Sequence, residues 1–120
     1  MNKRKLVEDY IGGWIDGNRS KIINSLTDDC VIIESHGPTY VGKELISKWI
    51  EEWVKEGRIN KWEITSYYES EDSAFFEWNF ICKFKGKKHE IEGVSLVKFE
   101  EGKISFIREY RTTNLRFIWK

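Results

Sequence analysis

Glu34 and His36 stand two residues apart in a segment rich in β-branched side chains, Cys30 to Ser35. Because successive strand residues point to opposite faces, these two side chains share one face of the predicted strand. A carboxylate in apolar surroundings has a raised pKa, which suits it to proton transfer near neutral pH. The pair is a candidate acid/base site, although a histidine just before a Gly-Pro turn is also typical of an exposed loop edge.

Glu109 and Arg111 repeat this spacing in the last apolar run of the chain. A second carboxylate, or a glutamate paired with an arginine, could position a water molecule for hydrolysis. The alternative roles are structural. Glu34 could pair with Arg111 or Lys43 at the rim of a sheet, and Glu109 could pair with Arg111 or Arg108.

Other catalytic patterns are missing from the sequence. It has no His, Asp and Glu set at metal-ligand spacing, no glycine-rich phosphate loop and no Ser-His-Asp arrangement marked out by spacing. We therefore expect no metal and no nucleotide cofactor. Cys30 and Cys82 lie far apart in apolar runs, a pattern that favours buried thiols over a disulfide.

The composition favours a small soluble domain. Its 120 residues, 33% of them charged with a net charge of zero, predict one domain over residues 1–120. A balanced charge argues against a nucleic-acid partner. No apolar run approaches the roughly 18–20 residues that cross a bilayer, and the basic start turns acidic too early for a signal peptide. A cytoplasmic protein without a membrane partner is the expectation.

The first half of the chain has the apolar spacing of helices. Lys3 to Asp16 places Tyr10 and Trp14 on one apolar stripe, and Gly17 follows as a C-terminal cap. A short second helix begins after Asn18, a residue suited to cap it. The third helix, Lys43 to Lys55, carries Trp49 and Trp53 on its apolar side and ends before Gly57.

The second half changes to the spacing of strands. Besides Cys30 to Ser35, four runs separated by turn residues are predicted as strands: Lys61 to Tyr68, Ala74 to Phe84, His89 to Phe99 and Lys103 to Arg111. Helices followed by hairpin-connected strands predict an α+β fold with an antiparallel sheet.

This order of elements resembles the nuclear-transport-factor-2-like superfamily, in the branch of SnoaL-like proteins and ketosteroid isomerase. Three motifs carry the likeness: Gly-Asn followed eight residues later by LTDDCVIIE, the helix entry YVGKELI, and the closing run GKISFIREY. The resemblance spans about Leu6 to Thr113. It implies a curved antiparallel sheet wrapped around N-terminal helices, a cystatin-like cone with an internal pocket. The fold hosts both enzymes and binding domains, so it does not name a reaction.

The resemblance also implies site residues. In ketosteroid isomerase a carboxylate moves a proton, while a tyrosine and a protonated aspartate hold the oxyanion. The tyrosine position falls on Tyr10 and the base on Glu34. The second donor falls on Ser95, which is not an acid, so the isomerase pattern is incomplete. Tyr10 could equally be a core tyrosine.

Strand alternation extends this predicted pocket wall. With Ser95 facing inward, Val97 faces inward on the same strand. In the last strand the same matching to the family implies that Ile107, Glu109 and Arg111 face inward. The preceding strand adds Trp78 and Phe80, and the helices add Trp14, Trp49 and Trp53. The result is a mostly apolar cavity with a few polar groups, as small-molecule sites usually are.

Three functions remain open. The first is a cofactor-independent isomerase, cyclase or hydrolase that acts on a small hydrophobic molecule, with Glu34 or Glu109 as acid/base, Tyr10 as donor and His36 as a further candidate. The second is a domain that binds such a molecule without catalysis, and the third is a protein-interaction domain. We also expect a homodimer, because the outer sheet face and the tail are apolar. The residues concerned are Phe75, Ile81, Phe106, Tyr110, Phe117, Ile118 and Trp119.

Overall fold

Three helices pack on the sheet in the computed structural model, which describes all 120 residues. They are α1 (Lys3–Asp16), α2 (Arg19–Asn24) and α3 (Lys43–Glu56). The predicted bounds of α1 are confirmed, and α3 runs one residue further than predicted. Asn18 caps α2 as predicted, since its side chain accepts a hydrogen bond from the Lys21 backbone N–H at 3.1 Å.

Two glycines set the tight turn between α1 and α2. Gly17 ends α1 in the left-handed conformation, with φ of 65°, where a side chain would be strained. At Gly13 a Cβ atom would lie 2.8 Å from Ile22 Cγ1. The missing side chain therefore lets α2 pack closely on α1, which offsets the low helix propensity of glycine.

Six strands form one curved, open sheet in the order β2-β1-β6-β5-β4-β3. The strands are β1 (Leu26–Ile33), β2 (Thr39–Val41), β3 (Gly57–Glu69), β4 (Ser73–Phe84), β5 (Lys87–Glu100) and β6 (Lys103–Arg111). The predicted α+β cone is thereby confirmed. The sheet is mixed instead of wholly antiparallel, because β1 pairs with β6 in the parallel sense. The long stretch of chain between these two strands allows this pairing.

The sequence misplaced the start of β1 and missed β2. β1 begins at Leu26, four residues earlier than predicted. Asp28 and Asp29 lie within it, and both are exposed at the point where the register between β1 and β6 shifts. Aspartate is rare in regular strands, but an irregular edge tolerates it. β2 has only three residues and directly follows Pro38. Because proline is typical of turns, the sequence predicted a loop at this position instead of a strand.

Side-chain alternation in the long strands is as predicted. In β4 the inward positions Ala74, Phe76, Trp78 and Cys82 are buried, whereas Phe75 is exposed. In β6 Ile107 is buried and its neighbour Arg108 is exposed. The inner face of the sheet therefore meets the helices in one hydrophobic cluster.

The deepest part of this cluster lies where β1 and β6 meet α2 and α3. Ile22, Leu26, Ile32, Ile46, Ile50 and Ile104 have no solvent exposure. Cys30 and Cys82 are buried and unbonded, in line with the thiols favoured by the sequence. No helix combines the length and apolar character that a membrane crossing requires.

The outer face of the sheet leaves aromatic side chains in solvent. Phe75 and Tyr110 are 47% and 48% exposed, and Trp119 in the tail is 88% exposed. The predicted homodimer stays a prediction. We expect sedimentation equilibrium to give about twice the chain mass of 14.4 kDa, and Tyr110→Glu to shift the protein to the monomer, because burying a charge without a partner is unfavourable. A wild-type chain that sediments as a monomer at all concentrations would contradict pairing.

Candidate functional site

A cavity of about 460 Å³ opens between α1, α3 and the concave face of the sheet. Twelve of the 19 residues that line it are hydrophobic. This volume lies within the range of about 300–1,000 Å³ that is typical of small-molecule sites.

Nine of the 19 residues that line the cavity are Phe, Trp or Tyr. Five of the six tryptophans line it: Trp14, Trp49, Trp53, Trp62 and Trp78. Neighbouring rings mostly meet at steep angles. Trp14 lies 6.1 Å from Trp53 at 83°, and Trp62 lies 6.4 Å from Trp78 at 83°. At these distances and angles the rings pack edge to face, so aromatic contacts hold this part of the wall in place.

Glu109 is the carboxyl group that β6 directs into the cavity. Ser95 Oγ donates a hydrogen bond to Glu109 Oε2 at 3.4 Å and accepts one from Trp78 Nε1 at 2.9 Å. Burial, and then the nearby Glu34 carboxylate, raise the pKa of Glu109 to about 7, although the Ser95 hydrogen bond opposes the rise. Glu109 therefore holds a proton on about half of the molecules at neutral pH.

Glu34 follows the end of β1 and faces the same cavity. Tyr40 Oη donates a hydrogen bond to Glu34 Oε1 at 2.7 Å, and the Tyr40 ring stacks on Trp49 at 4.3 Å. Burial and the Glu34 carboxylate raise the pKa of the Tyr40 phenol above its usual value. Tyr40 thus stays protonated and fixes the orientation of Glu34.

Tyr10 reaches the cavity from α1 and is 4% exposed. Its ring contacts Trp14 and Trp62, at 6.4 and 6.2 Å between ring centres. Burial, followed by the charge of Glu109, raises the pKa of the Tyr10 phenol well above its usual value. The hydroxyl therefore keeps its proton and is available as a hydrogen-bond donor.

The structure brings most of the predicted site residues together. Tyr10, Glu34, His36 and Glu109 all line the cavity, as do Trp14, Trp49, Trp53, Trp78, Phe80 and Arg111. His36 and Arg111 are exposed at its rim. β1 ends at Ile33, so His36 lies in a turn and not on the strand that was predicted to hold it beside Glu34.

Ser95, Val97 and Ile107 do not line the cavity, contrary to their predicted ligand contact. They face inward as predicted but are at most 2% exposed. Val97 and Ile107 belong to the hydrophobic cluster. Ser95 is buried next to the lining residues, and its hydroxyl group forms hydrogen bonds with both Trp78 and Glu109.

The sequence did not single out several wall residues, among them Tyr40, Glu52, Trp62 and His89. Glu52 could have been found, because it lies three residues after Trp49 on one side of α3. Tyr40 was hidden in the stretch predicted as a loop. No group of three or more His, Cys, Asp and Glu side chains is placed to hold a metal ion.

Comparisons with known proteins identify the fold and the family. A hypothetical protein of ketosteroid isomerase-like fold from Catenulispora acidiphila, in complex with trimethylamine, is 19% identical with a TM-score of 0.79, covering 90% of this chain and 85% of that chain. An LEH-like epoxide hydrolase from M. tuberculosis is 12% identical with a TM-score of 0.82, covering 90% and 80%.

An uncharacterised cystatin-fold protein from Novosphingobium aromaticivorans is 15% identical with a TM-score of 0.73, covering 92% of this chain and 99% of that chain. At these identities the likeness shows the fold alone. A search of curated protein sequences gave no match. The profile of the SnoaL-like domain matches residues 7–107, most of the chain. This protein is therefore a member of the SnoaL-like domain family.

Proposed function

We propose that the cavity binds a small hydrophobic molecule and that Glu109 transfers a proton to or from it. The observation that carries the proposal is the position of the Glu109 carboxyl group on the wall of a mostly hydrophobic cavity, where burial raises its pKa to about 7. A group with this pKa exists in both protonation states at neutral pH, so it can act as acid and as base. The reaction class is cofactor-independent isomerisation, cyclisation or hydrolysis.

The neighbouring groups support this role for Glu109. The Trp78–Ser95 pair holds one carboxyl oxygen in place. Tyr10 keeps its proton beside Glu109 and can donate a hydrogen bond to an oxygen on which negative charge develops. Glu34, oriented by Tyr40, supplies a second carboxyl group. The epoxide hydrolase of similar fold makes epoxides a reasonable substrate class to test.

A panel of enones and epoxides tests this proposal directly. We expect Glu109→Gln to lower turnover at least about a hundredfold, because the amide cannot transfer a proton in the same way. Glu100→Gln, at the exposed far end of β5, is the matched control and should keep wild-type turnover. A Glu109→Gln variant that retains full turnover, or a wild type that turns over no compound of the panel, would count against catalysis.

Binding without catalysis is the second candidate. It is favoured by the nine aromatic side chains in the wall, and by trimethylamine in the complex of the Catenulispora protein. Native mass spectrometry of freshly purified protein distinguishes it from the enzyme, since a retained ligand without turnover indicates a carrier or sensor.

A further inference from the structure

Three carboxyl groups line the cavity without an ion-pair partner. They are Glu34 and Glu109, which are partly buried, and Glu52, which is exposed at the rim. The ion pairs of the structure all use other carboxylates. A carboxylate away from water is costly to keep charged unless a cation faces it. For Glu109, the closeness of Glu34 adds to that cost.

The positive groups of the lining lie at its rim. Arg111 is exposed, and its Nε donates a hydrogen bond to the Thr112 carbonyl oxygen at 3.3 Å. His36 and His89 are exposed as well. No lysine is among the lining residues. The two partly buried carboxyl groups of the cavity, Glu34 and Glu109, therefore face no cation of the protein.

The tryptophan faces of the cavity are free of protein cations, although Lys85 lies over Phe84, another lining ring. Arginine and lysine side chains lie over Tyr67, Phe84, Phe106 and Tyr110. None lies over the five tryptophans of the cavity, or over Tyr10 or Tyr40. Tryptophan is the ring that attracts cations most strongly, and a set of such rings is the usual receptor for alkylated ammonium groups.

We propose that the ligand of this cavity is an organic cation, a hydrophobic molecule that carries a protonated or quaternary alkylammonium group. This inference rests on the proposed small-molecule function and narrows its ligand class. The alkyl groups of such a cation lie against the tryptophan faces, and its charge faces Glu109 and Glu34. An anion would meet three carboxyl groups, which makes the cavity selective against it.

Two probes of nearly equal shape test whether a positive charge on the ligand strengthens its binding. Benzyltrimethylammonium carries the cation, and neopentylbenzene is its uncharged isostere with carbon in place of nitrogen. Binding is followed by tryptophan fluorescence in a Trp119→Phe background, so that all remaining tryptophans line the cavity. At about pH 8.5, where Glu109 is mostly ionised, we expect the cation to bind at least about tenfold more tightly than the isostere.

A glutamine variant of Glu109 tests whether its carboxyl group attracts the cation. Glu109→Gln should weaken binding of the cation about tenfold and leave that of neopentylbenzene unchanged, since only the cation interacts with the carboxylate charge. Glu100→Gln should change neither. Equal affinity for the two probes would overturn the inference and leave the proposed hydrophobic ligand standing, as would a Glu109→Gln variant with wild-type selectivity. Failure of both probes to bind overturns the inference, whereas the proposed function fails only if the enone and epoxide panel fails as well.

Discussion

Glu109→Gln is expected to raise the free energy of unfolding by about 2–3 kcal/mol at pH 8.5 and to change it little at pH 4. Burial raises the pKa of Glu109 from 4.5 to about 7 in the folded protein. The folded state thus binds a proton that the unfolded chain has released between these two values. Each pKa unit is worth about 1.4 kcal/mol, and the partial exposure of Glu109 reduces the sum.

The direction of this stability change follows from the protonation state of Glu109 in the folded and unfolded protein. Below pH 4.5 the carboxyl is protonated in both states, and the wild type behaves like the glutamine variant. As the pH rises through 7, the folded protein must ionise a carboxyl group that lies beside Glu34, and the wild type loses stability. Glutamine keeps the shape of the protonated acid without this loss.

Urea unfolding at several pH values measures this difference. The variant and the wild type should separate between about pH 5 and pH 8, and the gap should then level off. Glu100→Gln, an exposed carboxyl at the other end of the sheet, should stay within about 0.5 kcal/mol of wild type throughout. A constant gap at all pH values would show that Glu109 has no raised pKa.

The expected gain also bears on function. A protein that is more stable without a cavity carboxyl retains that group at the expense of stability, a combination that is common at functional sites. If Glu109→Gln is more stable and also loses turnover or cation binding, the two results together assign the carboxyl to function. A purely structural carboxyl would not be expected to lower stability at neutral pH.

Much of this site was predictable because two periodicities were clear. Helical spacing placed Tyr10 and Trp14 on the inner side of α1, and strand alternation placed Trp78 and Glu109 on the inner face of the sheet. Both depend only on backbone geometry, so they hold without knowledge of the tertiary contacts. They identify the face on which a residue lies.

Periodicity does not predict whether a residue on the inner face lines the cavity or is buried in the core. Ser95 and Val97 share a face with the cavity residues, yet both are buried and neither lines the cavity. Tyr40 lies on a three-residue strand next to Pro38, where no period can be read. The closeness of Glu34 to Glu109 comes from the parallel pairing of β1 with β6, in which Ile33 lies opposite Arg108, the residue before Glu109. These features depend on tertiary packing, which the sequence pattern does not encode locally.

Gly93→Ala is expected to lower the free energy of unfolding by about 3 kcal/mol, because the position has no room for a side chain. Gly93 lies on the inner face of β5, opposite Trp78 on β4 and Arg111 on β6. A Cβ atom there would lie 2.6 Å from Trp78 Cη2 and would also collide with the Tyr110 backbone oxygen. One of these neighbours must move, and the backbone of β6 cannot move without weakening the sheet.

The same substitution should disturb the site. Because the Trp78 ring lies over Gly93 and its Nε1 holds Ser95, displacing the ring removes the support of Glu109. We expect the binding of benzyltrimethylammonium to weaken in Gly93→Ala under conditions where the variant remains folded. Gly12→Ala is the matched control: its Cβ would meet only the end of the Lys21 side chain, at 3.1 Å, and alanine favours the helix by up to about 1 kcal/mol. If Gly93→Ala proved as stable as Gly12→Ala, Trp78 would not be held against the sheet as the structure describes.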